Sequence, residues 1–81
     1  MADKRIKAPL PGTFYRRPEP DADPFVTEGQ EVDVGDIIGL VEVMKSFYEV
    51  RTAESGVIDD FFVESEEIVE SDQDIASLRD R

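Results

Sequence analysis

Apolar and polar residues alternate with a period of two through most of the chain. "EVDVGD" (31–36) sets valine against acid, and "FYEVRT" (47–52) sets aromatic or aliphatic side chains against polar ones. "GVIDDFFVESEEIVES" (56–71) carries short apolar runs between acidic groups. That period belongs to strands with one buried face, and Val, Ile and Phe suit a pleated, half-buried surface. Glycine and proline break the pattern at Pro9, Pro11-Gly12, Pro18, Pro20, Pro24, Gly29, Gly35, Gly39 and Gly56. No window of about eleven residues keeps a helical stripe. Many short strands between turn residues predict an all-β sandwich or barrel.

The strands repeat. "IKAPLPGTF" from Ile6 lies over "VRTAESGVI" from Val50 at an offset of 44, with Gly12 on Gly56. "VTEGQEVDVGDIIGLV" from Val26 lies over "VESEEIVESDQDIASL" from Val63 at an offset of 37, with Val32 on Val69 and Ile38 on Ile75. Two similar strand sets predict a small flattened barrel with an approximate two-fold axis. Expected core positions are Ile6, Phe14, Val32, Ile38, Val41, Val50, Ile58, Val63, Val69, Ile75 and Leu78. The offsets differ by seven, so the first half holds about seven extra residues between Phe14 and Val26. That stretch, "YRRPEPDADPF", has three prolines that cannot donate to a ladder, which predicts a stiff projecting loop.

The halves meet in "LVEVMKSFYEV" (40–50), which reads as two strands and a turn. A tight hairpin needs positive φ at its centre, and Gly, Asn or Asp supply it at least strain. Here the centre is Val43-Met44-Lys45-Ser46, and Lys45 is the only lysine after Lys7. A locally unfavourable choice of residue points to function. Lys45 is read as an amine put on display.

Composition narrows what that amine can serve. The 81 residues form one domain, 1–81, with no cysteine and no histidine. The commonest general base, the commonest zinc ligand and thiolate chemistry are therefore all missing, and no Gly-rich phosphate loop occurs. A free-standing enzyme is not expected. The formal charge of −11 opposes nucleic acid and anionic membrane as partners. No apolar run approaches the ~20 residues of a membrane span, and no apolar stretch follows the basic N-terminus, so a cytoplasmic location is expected.

"EVMKS" (42–46) resembles the Glu-Ala-Met-Lys-Met signature of biotinyl domains, the biotin carboxyl carriers of acetyl-CoA carboxylase in particular. The resemblance runs from about Ile6 to Leu78 and includes the Ser55-Gly56 pair. It implies a flattened barrel of two four-stranded antiparallel sheets, with Lys45 on the hairpin joining the halves. Lys45 would carry covalent biotin with Met44 as its flanking recognition residue, and Glu42, Val43 and Ser46 would complete the attachment site. Arg16, Arg17, Pro18, Glu19, Pro20, Asp21, Ala22 and Asp23 match the family's thumb insertion, implying contact with biotin. Val43 and Ser46 depart from the usual Ala and Met. The partners implied are biotin protein ligase, biotin carboxylase and a carboxyltransferase that acts on an acyl-CoA, in fatty acid biosynthesis. The domain itself would be a non-catalytic carrier, with the ligase activating the amine. A lipoyl carrier and an unmodified β-barrel interaction module are the alternatives. Lipoyl domains typically have Asp before the lysine and Ala after it, and they lack the thumb.

Overall fold

Residues 4–81 are described by the computed structural model, and their regular structure is eight short strands. These are β1 Lys4–Lys7, β2 Gly12–Tyr15, β3 Glu31–Val32, β4 Ile37–Val43, β5 Ser46–Arg51, β6 Gly56–Phe61, β7 Ile68–Val69 and β8 Asp74–Arg79. They form two four-stranded antiparallel sheets, in the orders β1-β8-β6-β3 and β5-β4-β2-β7. Advancing every strand of the first sheet by four, cyclically, gives the second. That is the two-fold relation the repeat predicts.

The relation extends to single hydrogen bonds, and each bond crosses between halves. Gly29 N–H donates to Ile58 O at 2.8 Å, as Glu66 N–H donates to Phe14 O at 2.7 Å. Gly35 N–H donates to Thr52 O at 2.8 Å, as Asp72 N–H donates to Ala8 O at 2.9 Å. These turn residues of each half are thus satisfied by carbonyls in the other half's strands or just past their ends, which meets the demand that sheltered backbone groups be paired.

Every expected core position is buried, and Ala8, Val26, Val57 and Ala76 join them. Volumes trade across the symmetry. Phe14 is equivalent to the smaller Ile58, and Gly39 is equivalent to Ala76. A Cβ on Gly39 would fall 2.5 Å from Phe14 Cε1, so glycine makes the room that the larger ring takes.

Symmetry fails at residues 16–25, where the inserted loop leaves the barrel. Phe25 N–H donates to Arg16 O at 2.9 Å and closes it at the root. Arg16 N–H donates to Ser65 Oγ at 2.9 Å, and its guanidinium reaches Glu28 at 3.2 Å and Glu64 at 3.3 Å. The same group lies 3.9 Å from the centroid of the Phe61 ring. The loop is therefore fastened to both halves through one residue.

Candidate functional site

Val43 pairs with Ser46, so the β4–β5 hairpin has a two-residue loop, Met44-Lys45. Both residues have positive φ, 51° and 69°. Positive φ at both central positions marks a type I′ turn, the turn whose twist matches the flanking strands. A Cβ in this region crowds the following carbonyl at about 1–2 kcal/mol per residue. Met44 is 93% exposed, so packing does not offset that strain. Lys45 is exposed as well. Among the described residues it is the one cationic side chain with neither a hydrogen bond nor an ion pair. Lys4, Arg5, Lys7, Arg16, Arg51, Arg79 and Arg81 each meet a carboxylate, and Arg17 donates to Ala22 O at 2.8 Å.

The register of β2, β4 and β5 puts Tyr15, Glu42 and Phe47 on the outer face of their sheet, because Phe14, Val41 and Val50 take the inner face. Tyr15 O–H donates to Glu42 Oε1 at 3.1 Å, and its ring lies 6.2 Å from that of Phe47. Glu42 as hydrogen-bond acceptor, followed by desolvation and the negative charges of Glu42 and Glu66, pushes the Tyr15 phenol above its usual pKa. The inserted loop arches over this face. Between them is a cleft of about 370 Å³ lined by Tyr15, Arg17, Pro18, Glu19, Pro20, Phe47, Ser65 and Glu66.

The structure thus divides the residues singled out from sequence. Arg17, Pro18, Glu19 and Pro20 wall the cleft, while Asp21, Ala22 and Asp23 are not among its lining. Arg16 is not in the lining either; its side chain is spent on Glu28, Glu64 and Phe61. Glu42 stands behind the cleft on Tyr15, Val43 packs on the core, and Ser46 is exposed. Sequence reasoning missed Tyr15, Phe47, Ser65 and Glu66. Strand register would have put Tyr15 and Phe47 on Glu42's face. Ser65 and Glu66 come from a turn that no local signal ties to the inserted loop.

The aromatic walls, the cation and the two carboxylates suit a small flat ring with hydrogen-bonding groups, and the lysine leads into β5, which carries Phe47. The family profile described as biotin-requiring enzyme, of the biotin–lipoyl type, matches residues 4–78. The chain is 38% identical over 68 residues to the biotin carboxyl carrier protein of acetyl-CoA carboxylase from Haemophilus influenzae, covering 84% of this chain and 44% of that protein. It is 38% identical over 73 residues to the Pseudomonas aeruginosa protein of the same name, covering 90% and 47%. The chain therefore spans just under half the length of these relatives. Among solved structures, the urea carboxylase of Kluyveromyces lactis superposes with a TM-score of 0.79 at 20% identity, over 98% of this chain and 6% of that one. An aspartoacylase family protein from Mesorhizobium loti superposes with a TM-score of 0.70 at 23% identity, over 93% and 24%. These two likenesses concern the fold.

Proposed function

The chain belongs to the biotin–lipoyl family of biotin-requiring enzymes, and from that premise we propose that it is a biotin carboxyl carrier domain with Lys45 as the attachment residue. The observation that carries this reading is the hairpin tip: two residues with side chains at positive φ, ending in an amine without an acceptor among the described residues. A lysine left unpaired on a rigid turn can enter another protein's active site without breaking any contact of its own fold. The ligase then has only to remove a proton and supply an activated acyl group.

The cleft suits the group. Tyr15 and Phe47 offer π faces, Pro18 and Pro20 form an apolar rim, and Ser65, Glu66, Glu19 and Arg17 offer donors and acceptors. When bound, biotin supplies a urea nitrogen that takes up and gives back a carboxyl group. This chain's own part is to hold the arm by an amide at Lys45, to shelter the ring under residues 17–20, and to release it to a partner. Tethering replaces a dilute encounter with an effective concentration in about the mM range. A stiff β-hairpin keeps that concentration near the partner's site.

The names of the curated relatives support acetyl-CoA carboxylase as the complex served. Its partners would be a biotin protein ligase, a biotin carboxylase and a carboxyltransferase. In this reading residues 1–81 act as one carrier domain and 16–23 as its thumb.

Co-expression with a biotin protein ligase, and separately with a lipoate ligase, tests the reading by intact mass. The expected result is one biotinyl increment with the first enzyme, none with the second, and none in Lys45→Arg with either. A lipoyl increment on Lys45, or biotin retained in Lys45→Arg, would overturn it.

A further inference from the structure

The turn before β7 holds a residue that its place in the fold does not require. Glu66 is the two-fold equivalent of Gly29, and both donate their backbone N–H across to the other half, at 2.7 and 2.8 Å. Both have positive φ, 75° and 90°. Glycine takes that conformation freely, whereas a residue with a Cβ is strained in it. Asp72 replaces Gly35 in the same way, at 65° against 92°. Aspartate, however, visits this region readily because its short side chain bonds locally, and glutamate does not share that property. The chain therefore accepts at position 66 a strain that it avoids at position 29.

What sets position 66 apart is where its side chain lies. Glu66 lines the cleft together with Tyr15, Phe47 and Ser65, and its charge is felt at the Tyr15 phenol. A backbone outlier at a ligand cleft is the observation from which a functional role is properly inferred. Ionised, the side chain is an acceptor only. It therefore favours a ring with N–H donors, gains nothing from a ring without them, and repels an anion. Glu19 adds a second negative charge to the lining, and Arg17 is the one cation in it, with Nη1 already donating to Ala22 O.

We propose that Glu66 is the specificity-determining residue of this cleft, accepting a hydrogen bond from an uncharged cyclic urea and disfavouring rings that lack N–H groups or carry negative charge. The inference rests on the biotin reading of Lys45 and deepens it. A neutral urea ring docks beneath the thumb and a negatively charged one leaves it, so the ring's own charge decides whether the arm is sheltered or free.

The test compares wild type, Glu66→Gln and Glu66→Gly, each biotinylated on Lys45, by NMR hydrogen exchange of the urea N–H protons. The reference is biotin butylamide free in solution. Wild type should slow exchange by about two- to tenfold, the range that one net hydrogen bond gives. Glu66→Gly should match the free butylamide while melting at or above the wild-type temperature, because its φ strain is relieved. Glu66→Gln, which still offers an amide oxygen, should fall between. Wild-type protection retained in Glu66→Gly, or no protection in wild type, would overturn the proposal. Should Lys45 take up no biotin, the functional reading falls, and free biotin butylamide titrated into the unmodified protein decides the role of Glu66. Shifts of the Tyr15 and Phe47 ring resonances that vanish in Glu66→Gly support it; equal shifts in both proteins, or none in wild type, overturn it.

Discussion

Met44 and Lys45 occupy the positions where Asn-Gly would fit with least strain, and neither side chain is repaid by packing. At about 1–2 kcal/mol of left-handed strain per residue, replacing the pair should help the fold. Met44→Asn with Lys45→Gly is expected to raise stability by about 1–3 kcal/mol, allowing for the greater chain entropy of glycine. A gain of 1 kcal/mol corresponds to roughly 4–8 °C in a domain of this size. The same variant should accept no prosthetic group. Calorimetry and intact mass check the two halves of that prediction, and a lower melting temperature would show that Met44 and Lys45 fit the turn without strain. This tension was legible in the sequence, because "VMKS" lacks every usual turn residue. The strain at Glu66 was half legible: the repeat aligns it with Gly29, but nothing along the chain says that its side chain faces the inserted loop. That fact arises from packing between segments some fifty residues apart.

Strands and insertion were readable as elements because each leaves a local trace. Period-two alternation marked the strands, and the change of offset from 44 to 37 marked where residues had been added. What holds the insertion left no such trace. Arg16 sits in sequence with the thumb, yet its side chain is only 13% exposed and belongs to the barrel, bridging Glu28 and Glu64 over the Phe61 ring. Partly exposed ion pairs contribute about 0.2–1 kcal/mol each and a cation–π contact about 0.5–1. Arg16→Met keeps the apolar contact with Phe61 and loses both carboxylates. It should therefore cost about 1–2 kcal/mol overall. Backbone amide exchange in 17–24 should accelerate more than in β4 and β5, since the loop loses its root while the hairpin keeps its ladder. Uniform acceleration across all these segments would mean that Arg16 merely stabilises the barrel and does not fix the thumb.

At the scale of the molecule, the halves are interlocked, with Gly29, Gly35, Glu66 and Asp72 each donating a backbone N–H to the other half. These crossings close the barrel into one body of 37 × 26 × 19 Å. The two-fold axis relates that hairpin to the β1–β8 pair, where Lys4 faces Leu78. The net charge of −11 favours partners with basic surfaces, and such steering weakens as salt rises. The most direct measurement is peptide mapping of the protein purified from its own cells, by tandem mass spectrometry across residues 40–51. The expected result is a biotinyl amide on Lys45 and on no other lysine. An unmodified Lys45, a lipoyl group there, or biotin on Lys4 or Lys7 instead would contradict it.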